Sequence, residues 1–304
     1  MDAESPWQAP THTPYDGSAQ PFTIGLQQLD HRDWIEIDDH LLSYLAEKQR
    51  LFARHGEKIF VEESGSEPGQ KEVFDLLTAH LIEHYPERYV RKGNAVIVSG
   101  RDDAIAIGEA ATPYLHRAAN LVQEDLVLMR KDERRGWHLG AASLSFPSSW
   151  TLLEKFGRSM EEIHAPVPDF GAGTRNAGLI ARMFDNLRPD RSVLRMNWSL
   201  QPDGELYHPL ASHEKGALYT DDDIAAQSFV RVERQTLRKL PASGDILFTI
   251  RIHLDPIKAL KKHPECRAVA EAFCRQLEAL NPAQLHYKGI MTIRDRLLTA
   301  LRTL

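Results

Sequence analysis

Three stretches in the second half of the chain alternate with a period of two, and they constrain the fold more than any other feature. In Ser192–Leu200, the apolar Leu194, Met196, Trp198 and Leu200 interleave with Arg195, Asn197 and Ser199. In Phe229–Leu237, Arg231, Glu233 and Gln235 share one face, opposite Val230, Val232 and Arg234. In Asp245–Leu254, Ile246, Phe248, Ile250, Ile252 and Leu254 alternate with Thr249, Arg251 and His253. Successive strand side chains point to opposite faces, so this pattern predicts half-buried antiparallel strands. PASGD, with Gly244, suits a hairpin turn between the last two. Two earlier strands, Asp125–Arg130 and Trp137–Phe146, are joined by the charged, glycine-ended turn KDERRG.

Elsewhere the period is helical. Asp38–Arg54, Glu72–Tyr85 and Ala106–Ala119 make the first third mainly helical, and Ala259–Leu280 and Ile290–Leu301 are helical at the other end. Between the second and third strands lie helices over Ser149–Ile163 and Asn176–Leu187. Two strands, a run of helices and three strands make an α+β fold.

Composition removes several functions. The formal charge of -6 gives no polyanion-binding signature, and the basic cluster at Arg130, Lys131, Arg134 and Arg135 sits beside acids. No segment approaches the roughly 20 apolar residues that a membrane span needs. The first twenty or so residues have neither a basic start nor an apolar run and read as a loosely draped arm rather than a secretion signal. Two cysteines, Cys266 and Cys274, are too few for a cysteine-ligated cluster and fit a reduced, cytoplasmic setting. There is no Gly-rich phosphate loop, no HExxH and no GxSxG.

The segment Ser143–Phe170, SLSFPSSWTLLEKFGRSMEEIHAPVPDF, carries the chemistry of most interest. Ser148 and Ser149 are candidate N-caps, and Trp150, Leu153, Phe156, Gly157 and Met160 recur near helical spacing. Pro166 and Pro168 stop the helix, leaving His164 at a stiff end. An imidazole held there can bind a metal, bind a ligand, or cap the last carbonyls. The Arg231–Glu233–Gln235 face, with Arg195 and Asn197 or Arg251 from nearby strands, is either a pocket wall or a solvated surface with a cross-strand ion pair.

FPSSW, EKFG, IHAPVPDF, RMNWSL and RVERQTLRKLPASGDILFTIRIHLDPI together resemble the haem-dependent oxidative N-demethylase family. Weaker likeness reaches IGLQQLD, WIEID and VQEDL, so it runs from about Phe22 to the C-terminus. The resemblance implies a PAS-like five-stranded antiparallel sheet with covering helices. It divides the chain into an arm (1–21), a mainly helical region (22–121), a haem-binding core (122–256) and C-terminal helices (257–304). It implies haem b ligated by His164, with His208, His213 and His253 as alternatives. It implies a cofactor pocket formed by Arg195, Asn197, Arg234 and Arg251, and catalytic roles for Glu233 and Arg231. The implied reaction removes a methyl group from a small secondary amine such as dimethylamine, giving formaldehyde. Electrons would come from NADPH through FMN and a 2Fe–2S cluster on a partner reductase, with a folate-binding subunit as a further partner. A haem or small-molecule PAS sensor without turnover is the alternative, and a structural subunit with an empty pocket the third.

Overall fold

The structure is a computed structural model and describes residues 7–210, 214, 219 and 223–304. The five expected strands are β6 (Asp125–Asp132), β7 (Gly136–Ser143), β8 (Ser192–Gln201), β9 (Phe229–Lys239) and β10 (Ile246–Pro256). They lie side by side in the order β8-β9-β10-β6-β7, every pair antiparallel. The five-stranded expectation is nevertheless corrected to seven. Short strands β1 (Gln27–Leu29) and β2 (Phe60–Glu62) extend the two edges, and three residues each are too few to show a period.

Register fixes what each face carries. Asn197 pairs with Glu233, Arg195 with Gln235, and Glu233 with Ile252, so these side chains share one face. That face is covered by α4 (Leu152–Lys155), α5 (Met160–His164) and α6 (Arg175–Asn186), whose Leu152, Ile180 and Phe184 pack against Val127, Leu139, Ile250 and Ile252. The other face is covered in two halves. Helices α1 (Leu41–His55) and α2 (Glu67–His84) pack on Leu126, Leu128 and Leu247. The C-terminal helices Cys266–Ala279 and Arg294–Arg302 pack on Trp198, Leu200, Val230 and Val232. Trp198 is core, donating its indole N–H to Gln276 at 3.0 Å.

Three local expectations change. A second sheet, β3 (Tyr89–Lys92), β4 (Ala95–Val98) and β5 (Ala104–Ala106), precedes the helix expected over 106–119, which shrinks to α3 (Tyr114–Ala119) after Pro113. The helix expected over 149–163 is two pieces, capped by Thr151 and Ser159 rather than by Ser148 or Ser149. Gly157, at φ +72°, turns the chain between them. The arm is packed at Tyr15, which is 1% exposed and stacks on Phe273 at 4.4 Å. No helix among the described residues is long and apolar enough to cross a membrane.

Candidate functional site

Glu233 stands at the middle of β9, half-buried, with its carboxylate held by neighbours on the same face. Its Oε2 accepts from the amide of Gln235 at 2.8 Å and from that of Asn197 at 3.3 Å. Arg231, fully buried, brings its Nε to 3.7 Å from Oε1 and spends its other nitrogens on the carbonyls of Phe146 and Leu206. These last two bonds tie the strand to the chain segments flanking the helical cover. They make Arg231 a holder of the carboxylate more than a free cation.

Further cations surround Glu233. Burial lowers the pKa of Arg195 and Lys155, and the Glu233 charge opposes that shift in both. Lys288 is pushed down to about 7 by burial, again with Glu233 pulling it up and Arg195 adding to the depression. Its ammonium donates to the carbonyl of Trp198 and lies 4.0 Å from the Trp198 ring centroid. Tyr287, next in sequence and still 38% exposed, has its pKa raised by partial desolvation and then by Glu233. Sequence patterning missed Lys155, Tyr287 and Lys288. They sit on helices or just past a helix end, where charge normally means solvent, and only tertiary packing brings them to the strand.

His164 ends α5. Its Nδ1 lies 2.9 Å from the carbonyl oxygen of Met160. A carbonyl only accepts, so Nδ1 carries the hydrogen and the neutral ring leaves its lone pair on Nε2. Burial and then the charges of Lys155 and Arg195 lower its pKa, although the Met160 bond works the other way. Phe170 stacks on the ring at 6.3 Å. The ring is thus oriented by the last turn of its own helix, which is the arrangement that fixes a metal-ligating histidine.

The other predicted residues separate. Arg234 and Arg251 face each other across β9 and β10 on the opposite side of the sheet, so the expectation that they join this pocket is corrected in its geometry. Period two dictates it, since Arg234 is one residue from Glu233. Arg251 pairs with Asp38 at 2.6 Å and Arg234 with Glu36 at 3.1 Å. His253 lies on that side too, beside Glu36. His208 is buried with Nε2 3.1 Å from Asp203. His213 lies outside the described residues.

The covered face offers a fit for haem. The apolar side chains Met160, Ile163, Val167, Met183, Val193 and Phe248 border the core beneath the helices yet are only partly buried. They supply apolar surface on the sheet face that α5, with His164, covers. Arg195 and Lys155, close enough to act on His164, supply cations suited to propionate carboxylates. A cavity of about 210 Å³ between the arm and β8 is lined by Phe22, Thr23, Ile24, Arg195 and Asn197 among others. Over residues 25–298 the sequence matches the family described as haem-dependent oxidative N-demethylase, alpha subunit-like, and the chain belongs to that family.

Proposed function

We propose that this chain is the haem-binding subunit of an oxidative N-demethylase acting on a small secondary amine such as dimethylamine, with His164 as the residue that would hold the iron. The observation that carries the reading is Glu233. A half-buried carboxylate fixed by two amides and a buried guanidinium is a preorganised counter-charge for a small ammonium ion. It stands on the same sheet face that α5, with His164, covers.

The central strands keep the two-strand, helices, three-strand order on which the PAS-like reading rests, with residues 122–256 as the cofactor-binding core. Bound haem would supply oxygen activation and oxidation of the methyl carbon, which the polypeptide does not provide. His164 would hold the iron, Arg195 and Lys155 the propionates. Asn197 and Gln235 keep Glu233 aimed, and Glu233 binds and orients the amine. Lys288, whose pKa burial lowers against the pull of Glu233, adds a cation beside the site. The subunit would work in a reduced, cytoplasmic setting with a flavin and iron–sulfur reductase, and a folate-binding subunit would take the released carbon.

Purified protein supplied with haem tests this directly. The expected result is a Soret band with near-equal haem and chain, shifted on titration with dimethylamine. Absence of haem uptake defeats the reading. Haem uptake with no amine response and no formaldehyde in the presence of a reductase selects the sensor instead.

A further inference from the structure

On the side of the sheet away from Glu233, three segments distant in sequence bring together two imidazoles and a carboxylate. His12 comes from the arm, Glu36 from the stretch between β1 and α1, and His253 from β10. The Nε2 of His12 lies 3.0 and 2.9 Å from the two Glu36 oxygens. The Nε2 of His253 lies 3.6 Å from Glu36 Oε1. One donor atom from each residue is within 4.8 Å of the other two. Metal–ligand bonds of about 2.0–2.1 Å in a tetrahedron place ligand atoms roughly 3.3 Å apart, close to the two edges that meet at Glu36.

A second observation points inward. His253 is 8% exposed, and its Nε2 is buried without a hydrogen-bond partner. A buried ring nitrogen aimed at a carboxylate, yet too far to bond it, is an orphan that a cation between them would satisfy. Burial and the Arg251 charge hold that ring neutral, its pKa lowered to about 3, and neutral imidazole is the form that ligates.

We propose that His12, Glu36 and His253 form a binding site for one divalent first-row transition metal ion, zinc fitting the donor set best. Two histidines and one carboxylate suit zinc and ferrous iron alike, and of the two zinc binds such sites more tightly. Arg234, 3.1 Å from Glu36 Oε2, serves as the outer partner that orients the carboxylate. It also brings a positive charge near the ion. Asp38 is already taken by Arg251. The ion would pin the arm to β10. Since His12 and Thr23 also line the cavity that Arg195 and Asn197 share, metal loading would set the position of that wall.

The test needs no turnover. Chelator-stripped protein is titrated with Zn²⁺ by calorimetry, and with Co²⁺ while its visible d–d bands are recorded. The expected result is one tight ion per chain, with histidine-ligand Co²⁺ bands, and slower proteolysis within the arm. His253→Ala and Glu36→Gln should each lower affinity by more than about 100-fold, beyond the roughly 10–100-fold of an outer-shell change. His12→Ala, in the half-buried arm, should do the same with an unchanged circular dichroism spectrum, which keeps the test valid if a core variant misfolds. A wild type that binds neither ion, or variants that bind as tightly as wild type through others of the 14 histidines, overturns the proposal.

Discussion

At the scale of single residues, the proposed site divides into a ligand and a counter-charge, and each can be removed separately. His164 is oriented by one hydrogen bond to its own helix and contacts the core through Phe170. His164→Ala therefore leaves the sheet and its cover intact and should abolish or strongly weaken haem retention, read as Soret absorbance per chain. An unchanged haem content and band position would move the ligand to His208, His213 or His253. Glu233 is the acid acting on Arg195, Arg231, Lys155 and Lys288 at once. Glu233→Gln keeps its volume and amide partners but removes the counter-charge these cations share, and a cationic amine then meets repulsion. Its affinity should fall roughly 5- to 150-fold, equivalent to about 1–3 kcal/mol, in a titration of the haem spectrum. Equal midpoints for wild type and variant would place Glu233 outside the amine site.

At the scale of elements, legibility followed pattern length. The eight- to eleven-residue strands β6 to β10 are long enough for period two to show, and register then put Glu233, Arg231 and Asn197 on one face as the alternation requires. The same period separated Arg234 and Arg251 from them, a consequence readable in advance from Glu233 and Arg234 being adjacent. Strands β1, β2 and β5 have three residues each, which no period can mark. The break between α4 and α5 was masked because Trp150, Phe156 and Met160 keep helical spacing across it, while the break itself depends on Gly157. That residue carries a testable cost. A Cβ there meets nothing nearer than the Arg135 guanidinium at 3.7 Å, so the penalty is conformational, not steric. Gly157→Ala should lose about 1–2 kcal/mol in urea unfolding, the cost of a left-handed non-glycine residue. Gly157→Asn should lose less, because a short polar side chain tolerates that conformation. Equal stability of all three proteins would mean that the turn is not held at Gly157.

At the scale of the whole molecule, the proposed haem site is not matched by a dinucleotide loop or a cysteine cluster in the sequence. The sequence has no Gly-rich dinucleotide loop, and its two cysteines are eight residues apart, one half-buried and one buried against the C-terminal helices. The proposed oxidative demethylation would consume reducing equivalents as well as oxygen, and their delivery by another protein would agree with the family being described as alpha subunit-like. The haem-loaded chain alone should therefore not oxidise NADPH, whatever amine is added. With a flavin and iron–sulfur reductase present, NADPH consumption should become amine-dependent and match formaldehyde release. Electron-transfer contacts are often small, below about 1,200 Å² in total, so the two proteins need not copurify for turnover to occur. Raised ionic strength should then slow turnover more than it weakens amine binding, since screening acts on the encounter of two charged surfaces and less on a half-buried carboxylate. Sustained NADPH oxidation by the isolated chain would defeat the divided system. Haem reduction by the partner without amine turnover would leave the protein a sensor.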